Sequence, residues 1–395
     1  MFTQNTQFTY IELFAGIGGF RIAMEALGDS ELVWGCDIDR PARCTYRCNF
    51  GQDQVLYTDI TEAKTSFIPT HDILTAGFPC QDFSTLGAGT EGGQQGLEGD
   101  TGSLFFQVVR VLRDVQPKSF LLENVHGLLT LNNGETIKKV IQELESVGYT
   151  VQYKSINSLC LVPQFRRRIY LVGFLDPVVA ERFAFPKEPK LSPSRTVGDI
   201  LCLNDPFLEI QKLSRRQWHA VGQDKSTKKY GKDKRLLRPS SKEADTLLKS
   251  YRASRKTMSQ FVYTENQIDG CPRWLTTREC ARLMGFPNSH QFPSGPKAYN
   301  QLGNAVTPPL IAMLGGSVLA ALKNDQSYIR IGLEQGLALA LDATAPTRKH
   351  ILLNSFVTHP DFEHCTVETF IYGRQRRKIE LVVVVGLMCC NFLFQ

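Results

Sequence analysis

An apolar run passes into a glycine-rich turn at Tyr10–Phe20, which reads Tyr-Ile-Glu-Leu-Phe-Ala-Gly-Ile-Gly-Gly-Phe. Glycines let the backbone turn tightly and let a ligand approach closely, and a helix N-terminus after the turn favours negative groups. Asp37 follows about twenty residues later, at the end of the next predicted strand, where a carboxylate can bind ribose hydroxyls. Taken alone, the pattern indicates either a nucleotide site in an α/β sheet or only a tight turn.

Predicted strands and helices alternate along the first 175 residues. The strands are Tyr10–Phe14, Leu32–Gly35, Asp72–Ala76, Ser119–Leu122 and Ile169–Phe174, and the helices are Phe20–Leu27, Leu104–Val115 and residues 137–147. Such alternation predicts a mostly parallel, doubly wound sheet with right-handed connections. From about Leu175 prolines interrupt the regular patterns, and helix signals return at Arg278–Met284 and Pro308–Leu322.

The net charge of +6 is unevenly distributed along the 395 residues. Lys212–Lys256 contains fifteen Lys and Arg against four Asp and Glu, a local charge of +11, so the rest of the chain carries −5. A basic segment on a slightly acidic body indicates either a localised contact with a polyanion or a solvated basic loop.

The composition, 42% hydrophobic and 21% charged, is that of an ordinary soluble globular protein. Eleven cysteines show no disulfide framework, and Met1–Tyr10 has no apolar core of a signal peptide, so reduced thiols inside the cell are expected. Cys44 and Cys48 lack partners at zinc spacing, and no metal is predicted. The apolar run Leu381–Phe394 is too short to span a bilayer.

Phe14–Phe20 resembles the first motif of the DNA cytosine-C5 methyltransferases, which use S-adenosylmethionine as methyl donor. The resemblance implies that Asp37 binds the ribose, that Ile38 packs on the adenine and that Asp59-Ile60 lies at the adenine edge. The full set of residues implied to bind the cofactor is Phe14, Gly16, Ile17, Gly18, Gly19, Asp37, Ile38, Asp59, Ile60, Pro79, Leu104, Asn304 and Ala305.

Gly77–Gln81 follows a predicted strand, so Cys80 is expected at the carboxyl edge of the sheet, where open α/β sheets bind ligands. The segment resembles the family's Pro-Cys-Gln motif, which implies that Cys80 is the nucleophile and Gln81 part of the catalytic set. Addition of a thiolate to C6 of cytosine places electron density on C5. A positive neighbourhood favours this step because it lowers the thiol pKa from about 8.5.

Glu123-Asn124-Val125 resembles the family's Glu-Asn-Val motif and implies a carboxyl with a raised pKa that protonates or hydrogen-bonds cytosine N3. Gln164–Arg168 resembles the Gln-x-Arg-x-Arg motif. In an extended segment Arg166 and Arg168 point the same way, so together they are predicted to meet the cytosine carbonyl, the thiolate region and a phosphate. No base for removal of the C5 proton stands out, and a water is one interpretation.

Arg273–Pro287 and Gln301–Val306 resemble the ninth and tenth motifs, so the basic segment falls where the family carries its target-recognition region. Thr246-Leu247 resembles a Thr-Leu pair common there. The implied roles are phosphate neutralisation and base readout on a duplex from which the cytosine is flipped out. Residues predicted to bind DNA are Ser84, Gln164, Thr246, Leu247 and Arg273, and Thr85–Ser103 is expected to close behind the base.

The expected fold is therefore that of a Rossmann-like class I methyltransferase with a small irregular or β target-recognition domain inserted before the last motifs. The predicted divisions are 8–175 for the first part of the catalytic domain, 176–271 for target recognition, 272–324 for completion of the catalytic domain, and 325–395 for an extension of unknown role. Thr101-Gly102 departs from the usual Arg-Gly pair, and the glycine usual two residues before Pro163 is missing.

Three other functions compete with methylation of double-stranded DNA. An RNA enzyme of the tRNA branch typically carries a Cys-Phe-Thr element, which is not found between Leu175 and Cys271. A silent DNA-binding homologue is expected to lose Cys80 or Glu123, and both are present. A nicotinamide oxidoreductase shares only the glycine turn. The expected protein is an intracellular monomer without membrane contact, acting in the cytoplasm or nucleoid of a bacterium or in a eukaryotic nucleus.

Overall fold

The computed structural model of the chain describes residues 7–51, 56–57, 59–79, 104–189, 195–202, 208, 211–252, 259–263, 270–293 and 295–344. The predicted closing loop Thr85–Ser103 and the extension after residue 344 lie outside these residues.

Seven strands form the central sheet. The strands of the described chain are β1 Phe8–Leu13, β2 Ser30–Cys36, β3 Leu56–Tyr57, β4 Ile73–Gly77, β5 Ser119–Val125, β6 Thr150–Asn157, β7 Gln164–Phe165, β8 Arg167–Phe174, β9 Leu236–Leu237, β10 Ala244–Asp245 and β11 Phe261–Val262. The sheet order is β3-β2-β1-β4-β5-β8-β6. All neighbours are parallel except that β8 runs antiparallel to both β5 and β6. The predicted mostly parallel sheet is confirmed.

Helices cover both faces of this sheet. The helices of the described residues are α1 Gly19–Leu27, α2 Arg40–Phe50, α3 Leu104–Val115, α4 Glu135–Ser146, α5 Pro177–Arg182, α6 Arg215–Gly222, α7 Lys225–Tyr230, α8 Thr277–Leu283, α9 Pro296–Asn304, α10 Pro308–Lys323 and α11 Ser327–Thr344. One core packs α1, α5, α10 and α11 against the sheet, and a second packs α3 and α4 against the opposite face. Tyr10 enters the first core while Ile11 and Leu13 enter the second, as alternation along a strand requires.

The recognition region has little regular structure and shares its core with the segments that follow it. Its strands are two residues long; β9 pairs with β11, and β10 pairs with β7 of the catalytic part. A third hydrophobic core joins residues from 197–262 with residues of α8 and α9, and it also includes Ile17 and Ile22. The predicted boundary at residue 271 therefore crosses one continuous core.

Several elements were not predicted from the sequence, among them β6, α2, α9 and α11. Helix α11 lies in the predicted extension and packs closely on α10. A Cβ at Gly332 would lie 2.8 Å from Gly316 Cα and 2.9 Å from Ala312 O. Glycine at positions 316 and 332 therefore lets the two helices approach this closely. The first part of the extension is therefore integral to the catalytic core.

Residues 296–323 have the length and apolar composition of a membrane span, with a mean hydropathy of 1.8 over their most apolar window. In the structure 89% of that window is buried inside the protein, as in the core helix of a globular domain. This stretch corresponds to α9 and α10, whose apolar residues contribute to the third and the first hydrophobic core, respectively.

Candidate active site

Strands β4 and β5 bring two predicted catalytic segments to the same edge of the sheet. Gly77, the last residue of β4, pairs in register with Glu123 of β5. A Cβ at Gly77 would lie 3.9 Å from Glu123 Oε2 and 3.6 Å from Val306, so the space above Gly77 adjoins the carboxyl group. Phe78 and Pro79 continue from β4. Cys80, Gln81 and Ser84 follow them and lie outside the described residues.

Asn124 ties these two strands together beyond their last backbone pairs. Its buried side-chain amide donates to the carbonyl oxygen of Phe78 at 3.0 Å, and its Oδ1 accepts from Val125 N–H at 2.8 Å. The backbone two residues before Cys80 is therefore fixed relative to the residue next to Glu123. Sequence analysis quoted Asn124 within a motif but gave it no role.

Glu123 is a buried carboxyl paired with one arginine. Arg168 Nε lies 3.1 Å from Glu123 Oε1, and the two side chains are 14% and 10% exposed. The N–H is not aligned for a hydrogen bond, so Oε1 has no hydrogen-bond donor among the described residues. Burial raises the pKa of Glu123, and Arg168 and Arg166 offset only part of that effect. A raised pKa makes this carboxyl more readily protonated than an exposed glutamate, so it can act as a proton donor.

The glycine turn adopts a backbone that most side chains disfavour. Phe14, Gly16 and Gly18 have φ of 55°, 56° and 82°. A Cβ at Gly18 would collide with the ring of Phe50 in α2, which explains that glycine. The N–H of Gly16 donates to Asp37 Oδ2 at 2.7 Å, so the predicted ribose ligand also holds the turn in place.

Apolar and polar groups surround this turn. Ile38 is 70% exposed directly after Asp37, and Arg43 fixes its backbone by donating to the carbonyl oxygens of Asp37 and Ile38 at 2.8 Å. Asp59 accepts from the backbone and hydroxyl of Thr61 at 2.8 Å, and Ile60 is buried. Ile17 and Gly19 are also buried. Pro79, Leu104 and Ala305 are half-buried.

The end of α9 and the residues after it pack against the glycine turn and the end of β4. Asn304 is exposed, and its amide lies 3.5 Å from Asn300 Oδ1. Val306 touches both neighbouring segments, since a Cβ on Gly19 would lie 2.6 Å from its Cγ2 and one on Gly77 3.6 Å from its Cγ1. Val306 thus brings the glycine turn, the end of β4 and the segment after α9 into one wall. Sequence analysis did not single out this valine.

A second buried acid lies beneath the turn. Glu12 in β1 is fully buried and accepts from the Tyr46 hydroxyl at 3.2 Å, while its Oε1 has no partner among the described residues. Burial raises its pKa to about 8. Tyr10 and Arg21 complete the cluster with buried polar atoms that also lack partners in the described part of the chain. This acid was not predicted, because its charge falls inside an apolar strand.

The sequence profile of one family, described as C-5 cytosine-specific DNA methylase, matches residues 8–320. The chain belongs to this family. Membership confirms the predicted resemblance and makes the chain a DNA cytosine-C5 methyltransferase.

Curated members of the methylase family match over most of their length. M.DsaV of Dactylococcopsis salina, a type II methyltransferase, is 35% identical over 345 residues, which cover 84% of this chain and 92% of the relative. The type II methyltransferase M.HhaI of Haemophilus parahaemolyticus is 34% identical over 327 residues, covering 81% and 96%. The type II methyltransferase M.HpaII of Haemophilus parainfluenzae is 37% identical over 335 residues, covering 80% and 91%.

Solved structures agree on the fold. The Dnmt2 methyltransferase of S. pombe superposes with a TM-score of 0.60 at 21% identity, covering 80% of this chain and 98% of that one. A DNMT2 variant of Spodoptera frugiperda gives 0.63 at 19% identity, with coverage of 79% and 100%. At this identity the likeness shows the fold alone, and it confirms the Rossmann-like methyltransferase architecture.

Only one described member of the predicted DNA-binding set in this methylase offers a partly exposed side chain. Thr246 is half-buried, and its hydroxyl donates to Phe165 O at 2.7 Å. Gln164 is fully buried and Leu247 is 3% exposed. Arg273 is also buried and forms two 2.7 Å hydrogen bonds with the carboxylate of Glu279. Buried side chains cannot meet DNA, so Gln164, Leu247 and Arg273 act here as internal supports.

Arg166 and Arg168 make different contacts in the structure. Arg168 faces Glu123, whereas Arg166 is 2% exposed and donates to backbone carbonyl oxygens of Leu247, Gly303 and Ala305. Extended alternation does place both on one face, but β8 begins at Arg167 and the side chain before it is covered by the recognition region and α9. The structure therefore places the Arg168 guanidinium beside the Glu123 carboxyl, whereas that of Arg166 binds backbone carbonyl oxygens.

Proposed function

We propose that the chain transfers a methyl group from S-adenosylmethionine to C5 of a cytosine flipped out of duplex DNA, through a covalent bond between Cys80 Sγ and C6. The observation that carries the proposal is the buried Glu123–Arg168 pair at the sheet edge, tied by Asn124 to the backbone that leads into Cys80. A raised carboxyl pKa, an arginine and a cysteine segment at one edge fit addition to a pyrimidine ring better than any other chemistry.

The residues at the glycine turn fit the cofactor. Each oxygen of Asp37 accepts one backbone N–H, from Gly16 and Asp39 at 2.7 Å, and each keeps a lone pair for a ribose hydroxyl. Ile38 presents an exposed apolar surface beside it, suited to one face of a purine. Asn304 supplies an exposed amide from the other side. When bound, the cofactor supplies an electrophilic methyl group on a sulfonium.

The chain's own groups account for the remaining steps. The Cys80 thiolate adds to C6 while the Glu123 carboxyl gives its proton to N3, so no charge builds up on the ring. Arg168 orients the carboxyl and donates to the cytosine carbonyl. After C5 has taken the methyl group, loss of the C5 proton supplies the electron pair that expels the thiolate from C6, and N3 returns its proton to Glu123. The base for that last proton has no candidate among the described side chains.

The recognition region supplies the DNA contact. Exposed cations follow one another along it at Lys228, Lys229, Lys232, Lys234, Arg238 and Lys242. A row of exposed charges of one sign favours a phosphate backbone and makes binding weaken as salt rises. We propose Thr246 as a DNA contact at its edge. A monomeric state and an intracellular location remain proposals of the same kind.

Trapping with 5-fluorocytosine tests the mechanism. Bisulfite sequencing of plasmid DNA from expressing cells first gives the methylated site. A duplex with 5-fluorocytosine at that site should then form a complex resistant to denaturant with the wild type and cofactor, because fluorine blocks loss of the C5 proton. Cys80→Ala should form none, whereas Cys271→Ala, a matched cysteine in the recognition region, should trap normally.

Two outcomes would overturn the proposal. A trapped complex with Cys80→Ala would place the nucleophile elsewhere. Methyl incorporation into tRNA with none into duplex DNA would move the substrate to RNA while keeping the ring chemistry.

A further inference from the structure

Arg166 is buried at the point where three chain segments meet. Its Nη1 donates to Leu247 O at 3.3 Å, and its Nη2 donates to Gly303 O at 3.3 Å and to Ala305 O at 2.6 Å. Leu247 belongs to the recognition region, and the other two carbonyls flank Asn304 at the end of α9. One guanidinium therefore joins the proposed DNA-binding segment to the segment that closes the cofactor site.

The hydrogen bonds of Arg166 at the end of α9 are those that the C-terminus of a helix favours. The last carbonyls of a helix have no partner within it, and they carry a partial negative charge that favours a cation. A planar guanidinium with several donors can serve more than one of them, which a compact ammonium cannot. Arg166 thus satisfies groups that the end of α9 would otherwise bury without hydrogen bonds.

Strand β7, which directly precedes Arg166, also binds the recognition region at Leu247. Gln164 Oε1 accepts from Leu247 N–H at 2.8 Å, so Gln164 and Arg166 bind the two backbone polar groups of one residue. Gly303 lets the backbone of Lys249 approach the end of α9, because a Cβ there would collide with Lys249 N. The junction is therefore tight on both sides.

Keeping this arginine buried is costly. No carboxylate lies within salt-bridge distance of it in the described part of the chain, and its Nε has no acceptor there. Burial, with Arg168 nearby, lowers its pKa to about 9. A buried donor without an acceptor lowers stability, and the loss is larger when the donor is charged. An apolar side chain would fill the space at less cost, so the junction calls for a role beyond packing.

We propose that Arg166 is a positioning residue that couples cofactor binding beside Asn304 to DNA binding through Thr246-Leu247. Ordering of residues 303–305 by the cofactor fixes the guanidinium, and the guanidinium fixes the carbonyl of Leu247. The coupling is reciprocal, since two ligands that favour one arrangement strengthen each other by the same factor. The inference rests on the proposed function.

The test is a measurement of that factor. DNA dissociation constants are determined by fluorescence anisotropy with and without S-adenosylhomocysteine, the demethylated cofactor. For the wild type we expect tighter DNA binding with the cofactor product, by about 5-fold or more, the lower end of usual coupling. Arg166→Lys keeps the positive charge but loses the planar guanidinium with its several donors. The ratio of the DNA dissociation constants without and with S-adenosylhomocysteine should therefore fall towards one.

Arg282→Lys is the matched control. Arg282 is likewise 2% exposed and donates to Asn288 and Ile200, away from α9. It should lower stability yet keep the wild-type ratio. If Arg166→Lys does not fold, Gly303→Ala perturbs the same junction with Arg166 intact and should also lower the ratio.

The possible failures are distinguishable. A wild type that binds neither S-adenosylhomocysteine nor DNA would contradict the proposed function itself. A wild type that binds both without coupling, or an Arg166→Lys protein with the full ratio, would overturn the inference and leave the proposed function standing.

Discussion

The sheet edge and the recognition region hold their side chains by different means. Gly77, Glu123 and Arg168 lie on neighbouring strands with continuous backbone pairing. In the recognition region the strands are two residues long, and hydrogen bonds from buried arginines link backbone segments that have no strand pairing. Arg235, for example, links Asp224 at 2.8 Å to the carbonyl of Ser259 at 3.1 Å.

Because of this difference, substitutions in the two regions should affect different quantities, the reaction rate at the sheet edge and the free energy of unfolding at the buried arginines. A substitution at the sheet edge leaves the backbone ladder intact and should change the rate alone. A substitution of a buried arginine in the recognition region, or of Arg273 directly after it, removes hydrogen bonds that hold the backbone in place. The three predictions below test this separation, beginning with the largest effect.

Glu123→Gln should lower the rate of methyl transfer by about 10²- to 10⁴-fold, the usual contribution of a general acid or base. The amide keeps the shape but cannot give a proton to N3. The urea unfolding midpoint should stay near that of the wild type. Single-turnover methylation measures the rate, and urea titration measures the unfolding midpoint. Glu135→Gln, in an exposed pair with Lys138, should alter neither quantity, and a large stability loss for Glu123→Gln would erase the contrast between the regions.

Arg273→Leu should destabilise the protein by about 3–5 kcal/mol, because Glu279 is left buried without its cation. The pair is 3% and 0% exposed, with N–O distances of 2.7 Å. Urea unfolding measures the loss. Arg238→Leu is the control, since its pair with Asp233 is 46% and 88% exposed, and it should cost about 0–1 kcal/mol. Equal losses for both variants would disprove the assignment of Arg273 as an internal support.

Glu12→Gln should change how stability depends on pH. The folded pKa of Glu12 is about 8 against an ordinary 4.5, so the folded state holds this proton more tightly than the unfolded chain does. Its contribution is complete below 4.5 and is lost as the pH rises towards 8. Over that window the wild type should lose about 1.4 kcal/mol per pH unit relative to Glu12→Gln. Unfolding free energies at several pH values measure it, and parallel curves would refute the raised pKa.

Sequence patterns were sufficient for the sheet edge. Glycines at a strand–helix junction, together with Asp37 and Glu123 at strand ends, mark positions whose backbone geometry follows from local rules. Helix α3 was predicted with its observed bounds because its apolar spacing is strong. Helix α11 was missed because Gly332 and Gly336 weaken helix propensity, and only close packing on α10 compensates.

The recognition region shows where sequence reasoning fails. A charge count treats all its arginines alike, yet Arg235 is 3% exposed while Arg238 is exposed. Likewise, alternation placed Arg166 and Arg168 together but could not show that α9 covers the first of them. Burial depends on segments distant along the chain, and a local pattern does not contain that information.

The antiparallel course of β8 limits how this region can change in length. Arg168 stands opposite Val125 because β8 enters the sheet from the edge at which β5 ends. Since side chains alternate, one residue inserted or deleted between Arg166 and Ile169 would turn Arg168 away from Glu123. A single residue gained or lost here would therefore separate the Arg168 guanidinium from the Glu123 carboxyl.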